Sequence, residues 1–169
     1  MKPKIITLVL ALLVFLGGCG QGAEKKERKE QLFPPGQRYS VALTVEENTS
    51  QGEIFFSEGG VLHFLHTDAD SPLFRMEEVF FEDKHVTIFQ GMQYEASLSH
   101  RGNALLFPLV HTLRAKEPSK TKKEENKKVL SFKDENVHAL VTLDESGNIL
   151  TIDAVVYDKT VKITFREGA

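Results

Sequence analysis

The chain has 169 residues, with 21 basic and 24 acidic side chains and a formal net charge of −3 at pH 7. This length suits one domain that buries roughly two thirds of its surface, and the mildly acidic balance argues against nucleic acid as a partner. With one cysteine, no internal disulfide can form, so hydrophobic packing must hold the fold. Because the chain holds 12 phenylalanines and no tryptophan, we expect a phenylalanine-rich core.

The first 18 residues are typical of a bacterial export signal. Lys2 and Lys4 precede the apolar run 5–16, and two glycines follow it. The run is shorter than the roughly 20 residues that a bilayer-spanning helix needs. We therefore expect a signal peptide over residues 1–18 that is removed, and no permanent membrane span.

Leu16-Gly17-Gly18-Cys19 resembles the lipobox of bacterial lipoproteins. The resemblance implies that the Cys19 thiol receives a diacylglyceryl group and that cleavage makes Cys19 the first mature residue. Two or more acyl chains anchor a protein stably, whereas one binds reversibly. We therefore expect an exported protein, anchored through acyl chains on Cys19 to the extracytoplasmic face of a bacterial membrane. The alternative is an ordinary secretory signal with an incidental cysteine.

Residues 19–37 are predicted to be the lipidated N-terminus and a flexible tether. The stretch is polar and charged and ends in Pro34-Pro35-Gly36. Such a composition buries too little apolar area to order itself. In EKKERKE four basic residues are offset by three glutamates, which favours a solvated run over a lipid-binding one. A single β-rich domain is expected over residues 38–169.

From Arg38 onward, apolar and polar residues alternate, which is the pattern of half-buried strands. Val161, Ile163 and Phe165 give the clearest case, and residues 92–98 place four apolar residues on one face. Turn-forming sequences separate these runs. The prediction is a mainly β (α+β) fold, with about ten strands joined as hairpins in a strongly curved antiparallel sheet or incomplete barrel.

One segment departs from the alternation. Leu105, Leu109 and Leu113 recur every four residues, which predicts one short amphipathic helix over about 107–116. Pro108 fits only in a first turn, where its missing N–H is harmless. The apolar stripe needs a partner, so the helix should pack on the concave side of the sheet.

Residues 116–128 hold six lysines and three glutamates. One hypothesis is a solvated loop or a polar helical turn that begins at Ser119. The other is a surface that contacts anionic lipid, a cell-wall polymer or an envelope protein partner.

A metal site is the most tempting chemistry in the sequence. His63, His66, Asp68 and Asp70 are residue types that bind divalent metals. Residues three apart in a strand point to opposite faces, however, so the two histidines should diverge. The aspartates are expected to form a turn with nearby backbone amides. No metal site is predicted.

Catalytic patterns give no positive indication either. Glu77 and Glu78 are neighbours in a strand and should face opposite sides. No nucleophile elbow, phosphate loop or metalloprotease motif is present. A triad assembled from distant segments stays open, but we expect no catalytic residue, no cofactor and a monomer.

The order of elements resembles the LolA/LolB-like superfamily of bacterial envelope proteins and related small lipoproteins. The matching stretches are the strand meander 52–98, the helical segment 107–115 and the closing hairpin 148–165. The resemblance implies a bent, incomplete barrel whose open side is covered by helices, with acyl chains between them. The sequence departs from the family in lacking an amphipathic helix before the first strand.

On this resemblance the helix is a lid over an apolar ligand. The predicted lining residues are Phe64, Met76, Phe80, Val86, Ile88, Leu105, Leu109 and Leu113. The resulting hypothesis is a membrane-anchored protein that binds or carries a lipid or another apolar ligand. The alternative is a structural or protein-interaction module with a filled core, which would use residues 116–128. An envelope hydrolase has the least support.

Overall fold

The computed structural model describes residues 32–99 and 101–166. They form eleven strands, one 3₁₀ turn and one α-helix. The elements in chain order are β1 (Arg38–Val45), β2 (Asn48–Phe56), β3 (Leu62–His66), β4 (Glu77–Phe80), β5 (Lys84–Phe89), β6 (Met92–Ser97), the 3₁₀ turn (Gly102–Leu105), α1 (Leu106–Ala115), β7 (Lys120–Glu124), β8 (Lys127–Lys133), β9 (Val137–Leu143), β10 (Ile149–Val156) and β11 (Lys159–Phe165).

All eleven strands belong to one antiparallel sheet, which is curved and not closed. Its order is β6-β5-β4-β3-β2-β1-β11-β10-β9-β8-β7. Each half is therefore a meander of hairpins, and the first and last strands pair at the centre, where Val41 lies opposite Phe165. The segment with the 3₁₀ turn and α1 runs from one edge strand, β6, to the other, β7. The predicted fold class is confirmed.

The period-two pattern places alternate side chains in the core. Along β9, Val137, Ala139, Val141 and Leu143 are buried, and the residues between them are not. The same alternation along β1 and β11 creates one continuous core across the central seam. Alternation in the sequence is sufficient here because one face of these strands meets the core.

β6 differs from this pattern. The prediction placed Met92, Tyr94, Ala96 and Leu98 on one half-buried face, but every residue of β6 is exposed, and of these four only Leu98, which follows the strand, packs against the core. Met92 and Tyr94 are 49% and 59% exposed. β6 is an edge strand, so it has a neighbour on one side only. An apolar period of two therefore indicated the strand correctly but not its burial.

The helix lies where it was predicted, shifted by one residue. Pro108 is the third residue of α1, in the first turn, as expected. The stripe of Leu105, Leu109 and Leu113 is buried, and α1 contacts β9 and β10. The helix ends where Lys116 becomes extended, and the Lys116 N–H donates to the Thr112 carbonyl at 3.0 Å. This stripe is part of the core cluster.

The core also includes a residue of the predicted tether. Most of residues 19–37 lie outside the described residues, but Phe33 is 1% exposed. Its ring packs against Tyr39 at 5.4 Å and Phe165 at 6.0 Å between centroids. Packing in the core therefore begins before Arg38, since this phenylalanine covers the end of the β1–β11 seam.

The lysine-rich segment is a strand, not a loop or a helical turn. Lys120–Glu124 form β7, which pairs with β8. All five β7 residues are exposed. Both conformations proposed for this segment were therefore wrong, because β8 supplies a hydrogen-bonding partner that the local sequence does not reveal. Lysines on an edge strand also oppose edge-to-edge association.

Candidate functional site

A cleft of about 290 Å³ lies between α1 and the hairpin formed by β2 and β3. It is lined by Phe56, Gly60, Leu62, Phe107, His111, Arg114 and Ala115. Ligand sites in proteins usually occupy about 300–1,000 Å³. The cleft volume lies just below this range, which suits a small ligand or one end of a longer one.

One wall of the cleft is a second face of α1. Phe107, His111 and Arg114 are spaced by four and three residues, so they share a face of the helix next to the buried stripe. The rings of Phe107 and His111 stack, with centroids 5.9 Å apart and planes 26° apart. This face is aromatic and ends in a cation.

The opposite wall is apolar and belongs to the sheet. Phe56 at the end of β2 pairs with Leu62 at the start of β3, so both side chains lie on the same face. Both are buried. The loop through Gly60 joins the two strands and forms the rim of the cleft. The two walls together offer an apolar slot bounded by one arginine.

Arg114 is the distinctive polar residue of the cleft. Its guanidinium carbon lies 3.9 Å from the centroid of the Phe56 ring, which is a cation–π contact. Its Nε atom is buried and has no hydrogen-bond partner in the described part of the chain. Burial lowers the pKa of the Arg114 guanidinium from its ordinary value, although arginine stays charged at physiological pH. The cleft therefore has a cation with unused donor capacity.

None of the predicted lining residues lines this cleft. Phe64, Phe80, Leu105, Leu109 and Leu113 lie in the core cluster, and Val86 is buried. Met76 is partly buried and Ile88 is 36% exposed. The structure therefore brings most of them together as packed core, and the cleft lies on the neighbouring face of the same helix.

A buried polar cluster lies apart from the cleft, beneath the 3₁₀ turn. Glu78 on β4 accepts hydrogen bonds at Oε1 from His66 Nε2 at 2.8 Å and from Asn103 Nδ2 at 2.6 Å. His85 Nε2 lies 3.1 Å from Glu78 Oε2, but its direction does not meet hydrogen-bond geometry. We treat that contact as electrostatic. The cluster joins β3, β4 and β5 to the turn that precedes α1.

Glu78 stays ionised within this cluster. Burial raises the pKa of the carboxyl, but the contacts from His66, His85 and Asn103 outweigh burial and lower it from 4.5 to about 2. His66 and Glu78 are 2% and 5% exposed. The hydrogen bond from Asn103 ties this buried pair to the 3₁₀ turn.

The predicted divergence of neighbouring polar residues is confirmed. His63 lies on the other face of the sheet, where its Nδ1 is 2.7 Å from Glu77 Oε1 and its ring stacks on Phe55. Glu77 and Glu78 therefore face opposite sides, as expected. Among residues 32–99 and 101–166, no group of three or more His, Cys, Asp or Glu side chains is arranged to hold a metal ion.

Asp68 forms the turn that was expected of it. The Asp70 N–H donates to Asp68 Oδ1 at 3.1 Å. The Ser71 N–H also donates to the Asp68 carbonyl at 3.1 Å. Asp68 therefore stabilises the connection from β3 to β4, which is a common use of aspartate in turns.

The predicted signal peptide, lipobox and acylated Cys19 all lie outside the described residues. Within the described part of the chain, no helix has the length and apolar character needed to cross a bilayer. The candidate sites that fall in the described part of the chain are the cleft and the Glu78 cluster.

The described residues place the protein in the structural class of open, curved antiparallel sheets with one helix and a cleft beside that helix. No family model matches the chain, and no curated protein matches it. Among solved structures, it is similar to LprF from Mycobacterium bovis, with 8% sequence identity and a TM-score of 0.36. The alignment covers 77% of this chain and 84% of LprF. This similarity assigns no site residue.

Proposed function

We propose that this chain is an envelope lipoprotein without catalytic activity that binds a lipid or another apolar ligand in the cleft between α1 and the β2–β3 hairpin. The observation that carries the proposal is the cleft itself, which is lined mainly by aromatic and aliphatic side chains. Apolar pockets with a few placed polar groups are the usual form of a ligand site. The export signal and the Leu16–Cys19 pattern support the location.

The cleft lies at the end of the sheet that the N-terminal segment joins. The Gly36 N–H donates to the Phe56 carbonyl at 3.0 Å, and Arg38 at the start of β1 lies opposite Phe55. The described segment before β1 therefore borders the cleft wall that Phe56 forms.

Filling the cleft should weaken ligand binding without disturbing the core. Ala115 lines the cleft but is exposed, so Ala115→Trp should block the slot. Because each buried methylene contributes ~0.8 kcal/mol, displacing two of them weakens binding about tenfold. The measurement is a fluorescence titration with the apolar probe N-phenylnaphthylamine.

Leu140→Trp is the matched control, because Leu140 is an exposed residue of β9 that does not line the cleft. Its affinity for the probe should equal that of the wild type. Equal affinities for wild type and Ala115→Trp would contradict the cleft as the binding site.

The anchor has its own test in intact cells. Cys19→Ser removes the thiol that would carry the acyl chains, so incorporation of labelled fatty acid should disappear and the protein should leave the membrane fraction. The checks are metabolic labelling and membrane fractionation. Continued labelling and membrane association of Cys19→Ser would refute the lipid anchor.

A second candidate function is a structural or protein-interaction module of the envelope. The complete burial of the Leu105, Leu109 and Leu113 stripe favours it, because a lid over an acyl chain would leave part of that stripe uncovered. The exposed lysines of β7 would then contact the partner. Cross-linking in intact cells would identify such a protein.

A further inference from the structure

Arg114 is placed where a bound ligand would meet it. The guanidinium lies over Phe56, and among the described residues no carboxylate forms an ion pair with it. None of the described residues that line the cleft is acidic. The charge of this arginine is therefore not neutralised within the site.

The stacking arrangement leaves the arginine donors available. Guanidinium N–H groups lie in the plane of the group, so a ring below that plane does not use them. The buried Nε has no hydrogen-bond partner among residues 32–99 and 101–166. A buried donor without a partner costs free energy, and a ligand acceptor would recover that cost. Carboxylate and phosphate match the donor fork of arginine in geometry and charge.

We propose that the ligand of this cleft is an anionic amphiphile, whose carboxylate or phosphate head pairs with Arg114 while its alkyl chain lies between Phe107 and the Phe56–Leu62 wall. This inference rests on the proposed function and adds the chemical class of the ligand. His111 also lines the cleft and is the other side chain there that can carry positive charge. An uncharged apolar ligand would leave the Arg114 donors unused.

The test compares probes with the same alkyl chain and different heads. Decanoate, decyl phosphate and decanol are titrated into the full-length protein, and acetate serves as a head without a chain. Because decanoate and decanol also differ in hydration, the informative quantity is the change in their affinity ratio when Arg114 is replaced. The two anionic probes distinguish a fatty acid from a phosphate-bearing lipid as the source of the head.

Arg114→Gln should lower the decanoate-to-decanol affinity ratio about tenfold or more, because it removes a charge-assisted pair. Arg114→Lys keeps the cation on a flexible stem, so the ratio should fall less. Arg75→Gln is the matched control, because Arg75 lies over Phe74 at 5.1 Å outside the cleft. It should leave the ratio unchanged. A melting curve for each variant shows that it is folded.

A measurement on the wild type does not depend on any variant. Raising the salt concentration should weaken binding of decanoate but not of decanol, because ions screen an accessible charge pair. An affinity ratio that is the same in wild type and Arg114→Gln would overturn the anionic ligand while leaving the apolar site intact. Failure of every alkyl probe to bind the wild type would overturn the proposed function as well.

Discussion

Replacing Glu78 with alanine is expected to lower the free energy of unfolding by about 3–5 kcal/mol, the usual cost of removing one partner from a buried charged cluster. The substitution leaves His66 Nε2 and Asn103 Nδ2 without their shared acceptor in the protein interior. Urea denaturation of both proteins gives the difference. The 3₁₀ turn before α1 should also lose protection from hydrogen exchange.

Glu77→Ala is the matched control for this experiment. Glu77 is the next residue of the same strand, but its side chain is 30% exposed and contacts His63 on the opposite face. Exposed ion pairs contribute about 0–1 kcal/mol, so the expected loss is below about 1 kcal/mol. Equal losses of unfolding free energy in the two variants would contradict the role of Glu78 as the shared acceptor of the buried cluster.

The same cluster should make stability depend on pH. The pKa of Glu78 falls from 4.5 to about 2 on folding, so the carboxylate stabilises the folded state fully above the unfolded value. This contribution, about 3 kcal/mol, should be lost as the pH falls from about 5 to about 2. Glu78→Gln has no such carboxylate, so its stability should fall less over that range. Parallel pH profiles for the two proteins would contradict the lowered pKa.

Leu109→Ala is expected to lower the free energy of unfolding by about 2–5 kcal/mol, because it leaves a cavity in the core. Leu109 is a residue of α1 whose side chain is fully buried in the core. Chemical denaturation measures the loss. Leu140→Ala truncates an exposed leucine of β9 and should cost about 0.5 kcal/mol or less. A loss below about 1 kcal/mol for Leu109→Ala would mean that the helix is a loosely held lid after all.

The elements that were predictable from the sequence are those whose patterns are local. Val161 and Ile163 alternate with polar residues, which indicates a strand, and leucines four residues apart indicate α1. Each pattern needs only one element and one core face to be interpreted. The curved antiparallel sheet followed from a series of such patterns with turn sequences between them.

β7 and Phe33 were missed because their structure depends on distant partners. The sequence KTKKE has little tendency to form a strand, and only pairing with β8 makes it one. Phe33 lies in a polar stretch, and its burial depends on Tyr39 and on Phe165 at the other end of the chain. The composition of a segment describes the average of its residues, so it does not reveal that one phenylalanine in a polar stretch is buried.

The Glu78 cluster and the cleft could each be predicted only in part from the sequence. Period two places His66 on the face of Phe64 and Glu78 on the face of Phe80, so their burial could have been read from the strands. The contact between His66 and Glu78 could not be predicted, because it depends on the register between β3 and β4. The cleft likewise shows as Phe107, His111 and Arg114 on one helical face, but its other wall depends on how α1 packs against a distant hairpin.

The central β1–β11 seam has a consequence for how the protein is made. Pairs such as β1–β2 and β10–β11 are hairpins that can form as soon as their residues emerge, whereas the seam joins residues 41–45 to residues 161–165. Contacts between such distant segments form slowly because the loop must close first. Until β11 arrives, β1 is an unpaired edge in the middle of the future sheet, open to pairing with other chains. Pairing of β11 with β1 therefore completes the sheet and removes this exposed edge.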